Sequence, residues 1–237
     1  MHIAFIGVGN MGRPMLANLL KKGFSATAYD IVPAALDAAV ALGAARAASP
    51  AEAAAAGDMV VTILPSSGNV EAAYLGAGGI LEGAARGKLC IDMSTIDPGT
   101  SQRVAARLAE NGIRFIDAPV SGGVGGVTAG TLAIMVGGAP EDAEAKPALD
   151  AMGANITHVG AVGAGEVAKL CNNLIAGAAF VAVSEAFRIA EGFGVDPKTL
   201  TQIIAKPRVR PGSWRRTTRS PASTRTAPPA AITRPDS

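Results

Sequence analysis

Cysteine is scarce in this chain, with Cys90 and Cys171 the only two. Neither has a partner at metal-binding spacing, so no Cys-x-x-Cys set exists and no metal is expected. Cys90 falls in an apolar strand pattern and Cys171 in an apolar helical one, so both read as small buried hydrophobes. Long hydrophobic runs are missing too. Gly, Asn, Lys and Asp interrupt each run before the eighteen or so uninterrupted apolar residues of a membrane span, so none is expected. Met1-His2 offers no basic region ahead of its apolar run, and Gly7 ends that run early. The N-terminus therefore reads as a strand rather than a secretory signal, with the cytoplasm as the expected location. A net basic charge is absent from the body of the chain. Residues 1–206 hold 14 Lys and Arg against 18 Asp and Glu, a net charge of −4, while residues 207–237 hold seven Arg against Asp236 alone, a net +6. The overall +2 comes from the tail. That tail lacks interleaved aromatics apart from Trp214, so a nucleic-acid partner is not expected.

What is present is a patterned chain of 237 residues, 49% hydrophobic, enough for a substantial core. Ile3 to Ile6 is a short apolar run ending at Gly7, and Met11 to Lys22 carries apolar residues at helical spacing until Gly23. That is strand, glycine turn, helix. Ser25 to Asp30 reads as a second strand, and Pro33 opens an Ala-rich helix ending near Gly43. Strands are expected at 59–64, 89–93 and 114–117, separated by helices at 50–56, 70–75 and 98–110. Two further strands, 132–136 and 155–158, flank a helix over 141–152. The alternation predicts an α/β fold with a doubly wound, mainly parallel sheet. From Gly163 to about Phe193 the pattern becomes one helical run, about 45 Å long at 1.5 Å per residue. It reads as the connector to a helical, incomplete C-terminal domain. The expected domains are thus 1–162, 163–206 and a tail from 207.

The tail holds six prolines and only Val209, Trp214 and Ile232 as large apolar residues. No apolar face runs through it, so disorder is expected. Its Arg/Pro/Ala/Thr/Ser mixture is what out-of-frame translation of a GC-rich gene produces. Loss of frame after Lys206 is therefore the expectation, with a natural basic tail as the alternative.

The turn Gly7-Val8-Gly9-Asn10-Met11-Gly12 follows a strand and opens a helix, and Asp30 ends the next strand. Gly7 permits the tight turn, Gly9 lets the backbone approach a pyrophosphate, and Gly12 allows close packing of helix on strand. This is a Rossmann-type dinucleotide fingerprint. Asp30 is placed to accept hydrogen bonds from ribose hydroxyls and to repel a 2′-phosphate. Neither Ile31 nor Val32 is an Arg that could hold one, so NAD is expected over NADP. Leu64, Pro65 and Thr95 fall at the ends of later strands, the edge where ligands lie in such sheets.

Four blocks carry a family resemblance: residues 7–15, Gly-Val-Gly-Asn-Met-Gly-Arg-Pro-Met; 92–98, Asp-Met-Ser-Thr-Ile-Asp-Pro; 117–123, Asp-Ala-Pro-Val-Ser-Gly-Gly; and 163–173, Gly-Ala-Gly-Glu-Val-Ala-Lys-Leu-Cys-Asn-Asn. In this order and spacing the chain resembles the 3-hydroxyisobutyrate dehydrogenases among the β-hydroxyacid dehydrogenases, from Met1 to about Lys206. The resemblance implies that Gly7, Gly9, Asn10, Met11, Gly12 and Asp30 hold NAD, with Leu64, Pro65, Asn69 and Thr95 toward the nicotinamide. It implies that Ser121, Gly122 and Gly123 hold the substrate carboxylate. Lys169 is the implied acid–base, and Asn173, four residues on along the same helix face, addresses the same hydroxyl. The implied reaction is oxidation of 3-hydroxyisobutyrate to methylmalonate semialdehyde, as in valine breakdown. Tartronate semialdehyde reductase and an inactive cofactor-binding module are the alternatives. The family continues with further helices and is usually homo-oligomeric, so exposed apolar faces are expected on the connector.

Overall fold

A computed structural model describes residues 1–139 and 144–205. The chain opens with β1 (His2–Ile6), α1 (Gly12–Lys21), β2 (Ser25–Tyr29), α2 (Pro33–Ala41), β3 (Ala45–Arg46), α3 (Pro50–Ala56) and β4 (Met59–Thr62). It goes on with α4 (Ser67–Leu75), α5 (Ile80–Gly83), β5 (Leu89–Asp92), α6 (Pro98–Ala109), β6 (Arg114–Asp117) and β7 (Val120–Ser121). Then follow α7 (Gly123–Ala129), β8 (Leu132–Gly137), α8 (Lys146–Met152), β9 (Gly153–Gly160), α9 (Ala164–Gly192) and α10 (Pro197–Ala205).

Among the described residues the strands form one sheet in the order β3-β2-β1-β4-β5-β6-β8-β7, with β9 on β8. The first six pair in parallel, β8 runs antiparallel to β6 and β7, and β9 runs parallel to β8. Helices cover both faces, which is why every residue of β4 and β5 is buried rather than every second one. Alternate side chains feed two cores. Ile3, Phe5, Val61 and Ile91 join Met15, Leu16 and Leu19 of α1 on one face. Ala4, Ile6, Val60 and Cys90 join Val70, Tyr74, Val104 and Leu108 on the other. Polar caps start the covering helices. Ser49 accepts from the Glu52 amide and Asp97 Oδ2 from the Thr100 amide, each followed by proline at the first helical position.

The expected strands and the helices of the first half lie where the periodicity puts them, within a residue or a turn. The helix expected over 141–152 is described as Lys146–Met152, with 140–143 outside the described residues. Periodicity passes over β3, β7, α5 and α7. The last is instructive, because Gly123, Gly125 and Gly126 make it a poor helix by propensity. It closes against Leu132, whose Cδ2 lies 3.1 Å from where a Cβ on Gly122 would sit and 3.5 Å from one on Gly126. Cys90 is buried, and burial pushes its thiol up to about 12. Cys171 is exposed on α9, against the expectation that both cysteines are internal. The tail from 207 lies outside the described residues.

The chain comprises two compact units, Met1–Gly177 and one beginning at Ala178, the division falling within α9. The described part of the second holds the end of α9 and α10, and no residue of α10 is buried. The absence of long apolar runs conceals one property of α9. Its 29 residues include a window of mean hydropathy 1.5, only 6% buried, so by length and composition the helix could cross a membrane. Asn172, Asn173 and Ser184 interrupt the run but carry no charge.

Candidate active site

The parallel strands end along one edge, and most of the predicted residues line clefts there. Beyond β1 the chain turns at Gly7, whose φ of +92° favours glycine and whose Cβ, if present, would lie 2.2 Å from the Ile63 carbonyl oxygen. A Cβ on Gly12 would fall 1.8 Å from the Gly7 oxygen, so α1 could not start so close to β1 with any other residue. A Cβ on Gly9 would meet nothing within 4 Å. Gly9 therefore faces open space, at the mouth of a cleft.

That cleft measures about 570 Å³ and is lined by Gly7, Gly9, Asn10, Met11, Gly12, Asp30, Leu64, Pro65 and Asn69. Ile31, Val32, Ala72 and Ala73 add apolar walls that sequence reasoning did not assign. Asp30 braces the turn. Its Oδ2 accepts from the Val8 amide and its Oδ1 from the Val32 amide, each at 2.8 Å. A carboxylate oxygen has a second lone pair, so both stay able to accept from a ligand hydroxyl. Asn69 sits in the first turn of α4, where its amide nitrogen donates to Ser66 Oγ.

A second cleft of about 390 Å³ adjoins the first, sharing Met11, Ile63, Leu64 and Pro65. Its lining adds Thr95, Gly123, Lys169 and Asn173, together with Met93, Ser94 and Val120, which sequence reasoning did not assign. Lys169 and Asn173 thus meet the strand-end residues across one space. Ser121 and Gly122 are not among the lining residues. Ser121 is instead tied to α9, its hydroxyl accepting from Asn172 Nδ2 at 3.5 Å.

Electrostatics single out Lys169. It is 9% exposed, and burial lowers its pKa, opposed by the neighbouring Glu166 carboxyl. An amine so placed is more readily neutral, and hence basic, than a solvated lysine. Below it lie three buried carboxyls. Asp92 at the end of β5 is pushed up to about 6 by burial, although Ser94 and Thr62 donate to it. Asp117 at the end of β6 is also raised by burial and accepts from the Gly163 and Glu166 amides at 2.7 and 2.9 Å. Glu166 is raised to about 8, again by burial. All three acids stand in the resemblance blocks, yet a strand-end or helical acid reads as solvated without its neighbours. Among the described residues no cluster of three or more His, Cys, Asp or Glu could hold a metal ion.

The open backbone at Gly9, the packed turn beneath it and the acceptor at Asp30 fit a dinucleotide. Comparison with known proteins agrees. Residues 2–160 match the NAD-binding domain of 6-phosphogluconate dehydrogenase, and residues 163–231 match the NAD-binding segment of NADP-dependent 3-hydroxyisobutyrate dehydrogenase. A 3-hydroxyisobutyrate dehydrogenase of Pseudomonas aeruginosa is 44% identical over 213 residues, 90% of this chain and 71% of that protein. The chain belongs to the 3-hydroxyisobutyrate dehydrogenase family. An NAD-dependent L-serine dehydrogenase of the same bacterium is 43% identical over 90% of the chain and 71% of its own length. The solved 3-hydroxyisobutyrate dehydrogenase of Mycobacterium tuberculosis, described with L-serine, superposes with a TM-score of 0.81 at 42% identity, over 86% of this chain and 69% of that one. The chain spans about 60% of the length of a mitochondrial family member from Bos taurus, to which it is 44% identical. Family membership makes NAD or NADP the cofactor, and the residues lining the first cleft fit a dinucleotide.

Proposed function

We propose that this chain oxidises 3-hydroxyisobutyrate to methylmalonate semialdehyde, a step of valine breakdown. The observation that carries the reading is the joining of the two clefts, which brings Lys169 and Asn173 against the cofactor-side residues Leu64, Pro65 and Thr95. The dinucleotide that Gly7, Gly9, Asn10, Met11, Gly12 and Asp30 would hold would supply the hydride acceptor for the alcohol carbon. Lys169 Nζ takes the hydroxyl proton, so the alcohol loses two electrons and two hydrogens and leaves as the aldehyde. Burial suits Lys169 to this task by disfavouring its ammonium form. The Asn173 amide holds the same hydroxyl, one helical turn away. Ser121, Gly122 and Gly123 receive the carboxylate with a hydroxyl and unobstructed backbone amides. The negative charge of Asp30, with apolar Ile31 and Val32 beside it, favours NAD over NADP.

L-Serine is a second reading, favoured by the equally similar L-serine dehydrogenase. The two share a carboxylate and a primary alcohol, and differ in whether the middle carbon bears a methyl or an ammonium group. Turnover of 3-hydroxyisobutyrate, L-serine and glycerate, each with NAD and NADP, tests these assignments. The highest kcat/KM with 3-hydroxyisobutyrate and NAD is expected. Faster L-serine or glycerate oxidation would reassign the substrate, and cofactor binding without any turnover would leave a binding module.

We also propose that a second copy of the chain covers α9 and keeps it from membranes. Leu174, Phe180, Val181 and Phe193 stand 64–86% exposed along and just beyond it, too apolar a stripe for a solvated helix. Sedimentation should show a concentration-dependent dimer or larger species, with no partition into phosphatidylcholine vesicles.

A further inference from the structure

Glu166 takes no part in the reaction proposed above, yet no side chain of α9 is held more closely. It is fully buried, in the first turn of the helix, three residues before Lys169. Its backbone amide donates to Asp117 Oδ2 at 2.9 Å, fastening it to the end of β6. Its Oε2 accepts from the Ile96 amide at 3.0 Å, fastening it to the residue after Thr95. Its Oε1 has no hydrogen-bond partner among the described residues. The packing allows little slack, since a Cβ on Gly165 would lie 2.4 Å from the Met135 carbonyl oxygen and 2.7 Å from Asp117 Oδ2. One carboxyl therefore spans the gap between the loop that brings Thr95 to the cleft and the helix that brings Lys169.

We propose that Glu166 is a positioning residue, tying the Thr95–Ile96 loop to the Lys169 helix and, by gaining or losing its proton, adjusting how firmly Lys169 keeps its own. The inference rests on Lys169 serving as the acid–base. The groups facing Glu166 are Asp92 from β5, Asp117 from β6 and Lys169 on its own helix, with the Ile96 amide as the one donor to its side chain. Two of the three are acids. Burial first, and then their repulsion, favours the neutral carboxyl and raises its pKa to about 8. While Glu166 is neutral, burial alone acts on Lys169 and its amine is readily freed. Once Glu166 ionises, its charge holds Lys169 as the ammonium. The device thus loosens the hold of Lys169 on its proton while Glu166 is neutral and tightens it once Glu166 ionises, at about pH 8.

The unpartnered Oε1 fits this reading. A proton there lowers the cost of leaving a buried oxygen without a donor, because a neutral carboxyl is far cheaper to bury than a carboxylate. The bond from its backbone amide to Asp117 needs no side chain, and any residue at this position could make it. The second bond, from the Ile96 amide to its side chain, joins Glu166 to the loop that carries Thr95.

Two variants test the proposal on the full chain. Glu166→Gln keeps the oxygen for the Ile96 amide but never carries charge, whereas Glu166→Ala removes the tether. The titration of Lys169 is read by acetic anhydride labelling and mass spectrometry from pH 6 to 10, without cofactor or turnover. Expected is labelling of Lys169 in Glu166→Gln equal to wild type below about pH 7 and at least threefold faster above pH 8, where the wild-type carboxylate protects the ammonium. Glu166→Ala should lose at least tenfold in kcat, with KM and the calorimetric NAD Kd within threefold. Coincident labelling profiles, or an Ala variant with undiminished kcat, would overturn the proposal. Should Glu166→Ala not fold, the Gln labelling decides alone. Should the wild type turn over no hydroxyacid, the catalytic reading falls while the labelling still reports on Glu166.

Discussion

Gly9 and Gly12 are the same residue under different constraints, and substitution should separate them. A methyl group on Gly12 would overlap the Gly7 carbonyl. Gly12→Ala should therefore destabilise the fold by about 1–3 kcal/mol or more, seen as a lower melting temperature. A methyl group on Gly9 touches nothing in the protein and occupies the space into which a pyrophosphate would come. Gly9→Ala should melt with the wild type, yet bind NAD at least tenfold more weakly by calorimetry. Lys169 calls for the opposite separation. Lys169→Ala should lose about 10²–10⁴-fold in kcat, the usual range for a lost acid–base group, with NAD affinity unchanged. Retained turnover would remove Lys169 from its assigned role. The glycine spacing and the lysine were legible in the sequence because a backbone turn and a family motif are local. The opposing charge of Glu166 was not, because it depends on which groups the fold buries together.

At the scale of elements, the site depends on how α9 is anchored to the sheet. Asp117 closes β6 and accepts two amides from the start of the helix, at Gly163 and Glu166. Asn would present one oxygen and an amide group to two donors. Asp117→Asn should therefore cost about 1–3 kcal/mol, the penalty for a buried donor left unmade, and should lower kcat more than NAD affinity because Lys169 rides on the displaced helix. Periodicity located α9 within a residue at each end but could not say which of its residues turn inward. Gly165, Glu166 and Lys169 are its buried residues. Cys171 was misplaced for the same reason, since an apolar helix reads as buried all round when its neighbours are unknown. The opposite error occurred at α7, which periodicity passed over and which forms a helix against Leu132 despite three glycines.

For the whole molecule, the buried acids make stability depend on pH in an uncommon direction. Asp92 and Glu166 have folded pKa values near 6 and 8, above the ordinary carboxylate range. The folded chain keeps protons that the unfolded chain gives up, so their contribution is complete at acid pH and is lost as pH rises through about 6 and then 8. Lys169, lowered by burial, acts in the opposite sense, restoring stability as pH rises through its folded pKa. The melting temperature should fall by several degrees from pH 5 to pH 8, and in Glu166→Gln the part of the fall between pH 7 and pH 8 should shrink. An unchanged slope in that variant would show that Glu166 is not the titrating group.

The sequence by itself determined the alternation of strands and helices, the dinucleotide turn and the blocks that place this chain in its family. These rest on hydrophobic period, glycine spacing and residue order, all short-range properties. Only the tertiary structure decided that β8 reverses direction, that the two clefts join at Met11, Ile63, Leu64 and Pro65, and that Asp92, Asp117 and Glu166 meet beneath Lys169. Such features arise where residues tens of positions apart exclude water together, and the resulting desolvation has no counterpart in the linear order of the chain.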